Sequence, residues 1–337
     1  MAVVMSVPEH RLFKYTGTPS EPVLVEASGT LMYTKNVRVF TILKDCLGDG
    51  LVAKGERGEI VTRALMVLAH DRAAREEGPI NGLQYCRPIR FFSFLKALLT
   101  DDAFQTLMNS TPVVPKSKSK EQEQEDIRKD FKAAFQHAWI SVSHFVLGDS
   151  KIIRVENLRN FFFRSAAVQC APNQAGIDCA APLVFAATKT HVVDPTSDIG
   201  VFQIQTKNRI SPTPVTVPTH QTRPGVTPED RPTVTLLIQY EDAGTSDHNV
   251  HHNSSLATRN PLYRSQPNNY QITLRGLTAF RLDDKEKIDI QSLLDLTSTM
   301  EAFPRADRED NVKLMRGLRP TFTEDSFQDW IPKSVWT

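Results

Sequence analysis

The chain reads as an α/β protein, in which a mixed β-sheet is flanked by helices, with a helical part towards the N-terminus and long loops between the later strands. Three observations predict this. Residues 56–77 carry apolar side chains at helical spacing: Ile60, Ala64, Val67 and Leu68 recur at i, i+4, i+7 and i+8. From about Asn160 the pattern changes to short runs enriched in β-branched and aromatic residues. Two stretches poor in either pattern, 211–232 and 241–269, separate those runs.

Taken in order, residues 1–50 form a mixed N-terminal segment with strand-like patches at Val23–Glu26 and Val37–Leu43. A mainly helical region follows over 51–150. Its first helix, Glu56 to Glu77, sets a polar stripe (Glu56, Glu59, Arg63, His70) beside the apolar one. Its second, over Phe91–Leu99, is apolar almost all round and is expected to be buried. Thr111–Asp126 runs from proline through lysine and serine to acids, the composition of a solvated insertion. A helix is expected to follow through Phe131, Phe135 and Trp139.

Residues 151–337 form the β-rich part. AAVQC, IDCAAPLVF, GVFQIQTKN, TVTLLIQY and YQITLRGL have strand length, and the APNQAG turn is short enough to join the first two as a hairpin. Six prolines between Ser211 and Pro232 exclude a regular helix or a central strand there. The 241–269 stretch, rich in Asn, Ser and His, is a second long loop, and a last helix is expected over Ile288–Met300.

Composition limits the function. With 337 residues the chain can bury a sizeable core, and 40 Lys plus Arg against 39 Asp plus Glu leave no global field drawing it to nucleic acid or a membrane. Any nucleic-acid contact must come from a local patch. Cys46, Cys86, Cys170 and Cys179 have no CxxC spacing, which fits free thiols in a reducing compartment. No basic and then apolar leader opens the chain and no run approaches 18 apolar residues, so the expectation is an intracellular protein, nuclear or cytoplasmic, without a membrane span. Phosphate-loop, dinucleotide-turn and nucleophile-elbow motifs are missing.

The chemistry concentrates between Gly176 and Arg209. Asp178 stands at the head of one apolar run, and Gln203, Gln205 and Lys207 alternate along the next, so on a strand those three share a face. A carboxylate beside a polar-x-Lys triplet is what a metal-dependent phosphodiesterase needs: oxygens for Mg²⁺, and an ammonium for the attacking water and the phosphate charge. The same alternation also describes one polar face of an exposed edge strand, extended by Arg209. Glu59, or Glu56, could supply a third ligand from the helix, although Glu59 and Arg63 also suit an i,i+4 ion pair. His248, His251 and His252 match no zinc spacing and read as solvated loop histidines.

The order of GERGEIVTRALMVLAHDRA, AAVQCAPNQAGIDCAAPLVF and VFQIQTKNR resembles the restriction-endonuclease-like PD-(D/E)xK nuclease superfamily. More narrowly it is similar to the nuclease-like region of mushroom-type fungal proteins related to transposon-derived and Crinkler-like effectors. The resemblance implies a core of a helix, three strands, a helix and a strand. It puts Glu59 at the helix acid, Asp178 at the hairpin acid and Gln205-x-Lys207 at the (D/E)xK position. Gln205 departs from the pattern, because an amide ligates Mg²⁺ without charge.

The expected function is therefore a Mg²⁺- or Mn²⁺-dependent endonuclease acting on DNA, with Asp178, Glu59 and Gln205 on the metal and Lys207 on the water. Arg209, Lys189 and Gln203 would contact nucleic acid, and a homodimer would allow both strands to be cut. The competing expectation is a catalytically silent nuclease fold that binds nucleic acid or protein.

Overall fold

The computed structural model describes residues 3–6, 15–17, 21–47, 54–110, 131–148, 153, 155–170, 177–187, 198–208, 232–240, 250–252 and 269–295. Their helices are α1 (Glu21–Thr34), α2 (Val39–Leu47), α3 (Lys54–Glu77), α4 (Phe91–Leu98), α5 (Asp101–Met108), α6 (Phe131–Phe135), α7 (Val155–Phe163) and α8 (Asp284–Asp295). The strands are β1 (Val3–Ser6), β2 (Tyr15–Gly17), β3 (Ile89–Arg90), β4 (Ala138–Ile140), β5 (His144–Leu147), β6 (Ala166–Gln169), β7 (Cys179–Phe185), β8 (Ile199–Lys207), β9 (Thr233–Gln239), β10 (Val250–His252) and β11 (Asn269–Arg275).

Apart from the β1–β2 ribbon, the described strands join one mixed sheet whose main path is β10-β11-β9-β8-β7-β4-β3, with β6 pairing β7 off this path and β5 pairing β6 in parallel. β8 runs antiparallel to β7 and parallel to β9, and β9 runs parallel to β11. The α/β class expected from the sequence is the one observed. β7 meets β8 along nearly all its length, but its other flank is divided: β6 pairs at Cys179 and Ala180, β4 at Leu183, Val184 and Phe185. Pro182 falls between those partners. Phe185 N–H is directed at Asp198 O beside β8, so alternate residues, Pro182 among them, turn their nitrogens to the divided flank. The donor that proline lacks is thus missing where no strand awaits it.

Side-chain alternation makes two cores. On β8, Phe202 and Ile204 join a large cluster with Val61, Leu65 and Met66 of α3 and Phe91, Phe94 and Leu95 of α4. Ile199 and Val201 face the other way, into a smaller cluster with Leu158, Phe161 and Phe162 of α7. The sheet is therefore covered on both faces around β7 and β8. That explains why their sequences are nearly continuous apolar runs.

Several expectations are corrected. The strand-like patch at 23–26 lies in α1, and that at 37–43 falls in α2 from Val39 onward, where packing decides over β-propensity. Phe40 of α2 is buried, with Val39, Leu43 and Leu47 packed beside it at helical spacing. The apolar stripe of α3 is rotated from the predicted one: Val61, Leu65, Ala69 and Ala73 are buried, while Ile60, Ala64 and Val67 are half-buried. His70, assigned to the polar stripe, is fully buried, and its Nε2 lies 3.0 Å from Arg87 O. The helix at 131 stops at Phe135, and Trp139 belongs to β4. His251 and His252 form part of β10 instead of a loop. The predicted insertion at 111–126 lies outside the described residues, as does His248. All four cysteines are free.

Candidate active site

α3 lies close against the ends of β8 and β9. A Cβ on Gly58 would sit 3.0 Å from Asn208 Cβ and 3.2 Å from Thr206 Cγ2, so any larger residue would have to push these neighbours back by a few tenths of an ångström. One turn later the Thr62 hydroxyl meets Thr206 Oγ1 at 2.9 Å and the Tyr240 hydroxyl at 2.8 Å, all three groups buried. This polar knot ties the helix to two adjacent strands. Glu59 and Arg63 each follow a tied residue, so they project beside the anchored face, next to the strand ends.

Asp178 stands at the head of β7, where the alternation is interrupted. Ile177 joins the smaller cluster and Cys179 the larger, although residues two apart on a regular strand would share a face. Its backbone is held on both sides: its N–H donates to Ile204 O at 2.9 Å, and its O accepts from Cys170 N–H at 2.8 Å. Its carboxylate Oδ2 accepts from Thr206 N–H, taking the place of a backbone acceptor. The acid therefore closes the β8 ladder as well as presenting a charge.

The expected partners converge electrostatically. Burial raises the Asp178 carboxyl above its ordinary range, and the hydrogen bond from Thr206 N–H with the charges of Lys207 and Arg63 partly offsets this. Burial raises Glu59 as well, and the neighbouring Asp178 charge adds to it, against Arg63 and Lys207. Two carboxylates thus repel each other across a partly desolvated gap, bracketed by one guanidinium and one ammonium. Arg63 Nη1 lies 3.6 Å from Glu59 Oε2, the i,i+4 pair read from the sequence.

The β8 residues divide. Thr206 turns towards α3, so Gln203, Gln205 and Lys207 alternate to the α7 face, and Lys207 ends the strand half-buried. β8 is flanked on both sides by β7 and β9, which overturns the edge-strand reading. Gln203 is 1% exposed and accepts from Thr235 Oγ1 at 3.2 Å, so the side chain expected to touch nucleic acid packs the sheet instead. Gln205 is 5% exposed, and its Oε1 has no hydrogen-bond partner among the described residues. It approaches from the α7 face and Glu59 from the α3 face, with Asp178 at the strand end between them. Arg209 and Lys189 lie outside the described residues.

Among the described residues no group of three or more His, Cys, Asp and Glu is placed to hold a metal. The donors here are two carboxylates and one orphaned amide oxygen. They fit a hard divalent ion in kind, because a double positive charge would relieve the repulsion that helps to hold Glu59 above its usual range. Sequence reasoning missed Thr62, Thr206 and Tyr240, whose signal is visible only once α3 and the strands are superposed. It named Arg63 merely as an ion-pair partner. No helix among the described residues is long and apolar enough to cross a membrane.

The model of a family described as Domain of unknown function (DUF8736) matches residues 1–296. No curated protein and no solved structure matches the chain.

Proposed function

We propose that this chain, which belongs to the DUF8736 family, is a divalent-metal-dependent phosphodiester hydrolase acting on DNA. The observation that carries the reading is the electrostatic coupling at the ends of the central strands, where the charge of Asp178 raises the Glu59 carboxyl and the charge of Lys207 lowers both acids. The element order supports it too. The antiparallel run β6-β7-β8 and the parallel β9 agree with part of the core implied by the restriction-endonuclease resemblance, and the helix that core places before its last strand would fall at 209–231, outside the described residues.

In this reading Glu59 and Asp178 hold Mg²⁺ or Mn²⁺, with the Gln205 amide oxygen a further donor from the other face. The ion, when bound, polarises a phosphoryl oxygen and acidifies its water. Lys207 orients the attacking water and offsets the negative charge growing on the phosphorus oxygens. Thr206 N–H keeps one oxygen of Asp178 occupied, which fixes the direction of the other.

The test is cleavage of duplex DNA with Mg²⁺ or Mn²⁺. Asp178→Ala and Lys207→Ala are each expected to lower the rate by about a hundredfold or more while the protein remains folded. Parent-like rates in either folded variant would refute the mechanism.

Two features favour a second reading, a silent nuclease fold that binds DNA. An amide stands at Gln205, and the two cations already balance the two acids. Salt-dependent DNA binding without cleavage in any of several divalent ions would favour that reading.

A further inference from the structure

We infer that Arg63 is a substrate-binding residue of this site, gripping a non-bridging oxygen of the DNA phosphodiester. The inference rests on the proposed function, and it adds a phosphate contact that the nuclease pattern does not place on this helix position.

The argument begins with what Arg63 lacks. Its side chain is 16% exposed, yet none of its nitrogens is among the buried atoms left without a partner, so the stem is packed while the guanidinium still reaches the surface. Its only ion pair among the described residues is the 3.6 Å contact with Glu59, longer than an N–H···O hydrogen bond. A guanidinium offers five donors in a planar fork suited to two oxygens of one phosphate. One loose contact leaves most of that fork unused.

Its position supplies the rest. Arg63 follows Thr62, which is fixed to Thr206 and Tyr240, so the base of its side chain is anchored against the ends of β8 and β9. Its guanidinium stands 3.6 Å from Glu59, and its charge is also felt by Asp178 and by the buried thiol of Cys179. If the acids turn to an ion, Arg63 loses its counter-charge just where a phosphate would enter.

The experiment measures binding of a short DNA duplex as a function of NaCl concentration at a fixed Mg²⁺ concentration, in the cleavage-deficient Lys207→Ala background, so that it is read apart from cleavage. Each phosphate contact contributes about 0.9 to the slope of log affinity against log salt. Arg63→Gln is expected to reduce that slope by about one and to weaken binding by roughly tenfold. Arg63→Lys should restore the slope but not all of the affinity, because the ammonium keeps the charge and loses the fork. Arg75→Gln, further along α3 and outside the cluster, should leave the slope unchanged.

An unchanged slope in folded Arg63→Gln, or an equal fall in Arg75→Gln, would overturn the inference and leave the proposed hydrolase standing. A parent protein that binds no DNA even at low salt would overturn both.

Discussion

Replacing Thr62 by valine probes how the acid pair is held together. The two side chains have nearly the same shape, so Thr62→Val opens no cavity and removes only the hydroxyl that meets Thr206 at 2.9 Å and Tyr240 at 2.8 Å. Each bond contributes about 1 kcal/mol net, and a buried hydroxyl left without a partner costs about 1–3 kcal/mol. Tyr240 is 3% exposed, and burial pushes its phenol well above the usual range, so it stays a protonated donor with nowhere to turn. The loss should total about 2–4 kcal/mol, read as a lower urea midpoint at unchanged slope.

A double-mutant cycle sharpens this. Tyr240→Phe removes the stranded hydroxyl itself, so the pair of changes should cost less than the sum of the single ones by about 1 kcal/mol. Because α3 also carries Glu59, cleavage should fall with Thr62→Val under conditions where it is fully folded. A cost below about 0.5 kcal/mol, or strict additivity in the cycle, would refute the idea that this knot seats the helix.

Two further expectations concern stability. The Glu59 carboxyl titrates higher in the fold than its ordinary value of about 4.3, so between those two points the native state binds more protons and stability declines as pH rises. Glu59→Gln should therefore be more stable than the parent at neutral pH, the advantage vanishing below about pH 4, while cleavage is lost; a stability gap that does not change with pH would contradict this. Gly29→Ala should destabilise by about 1–3 kcal/mol despite the better helix former, because the new Cβ would lie 2.6 Å from Cγ of Tyr85, whose ring stacks on Tyr33 at 5.5 Å. A thermal midpoint at or above the parent's would count against that packing.

The strands were the most legible part of the chain, since β6, β7, β8, β9 and β11 all fall where short β-branched runs stand between turn residues. Their continuous apolarity follows from cover on both faces, which one sequence window can register. α1 and α2 were illegible for the opposite reason. VLVE reads locally as strand, and only distant partners reverse it: Tyr85 against Gly29, and Asp289 accepting from Thr41 and Lys44. Asp178 could be named because it heads an apolar run beside Gln205-x-Lys207, and Glu59 because it lies on the polar stripe of a helix with a supporting apolar face. The knot at Thr62 could not, because threonine and tyrosine are ordinary on a buried surface until three of their hydroxyls meet.

The divided flank of β7 leaves the candidate centre on one side of the fork: Asp178 stands next to the β6 pairing, on the far side of Pro182 from β4. The Asp178 carbonyl follows the β6 prong through Cys170, whereas Glu59 rides on a helix fastened to β8 and beyond. Both acids still refer to one strand, because the Asp178 N–H and carboxylate are bound to Ile204 and Thr206 of β8, the strand that Thr62 also grips. The central strand is thus the common frame from which the spacing of the charged pair is set.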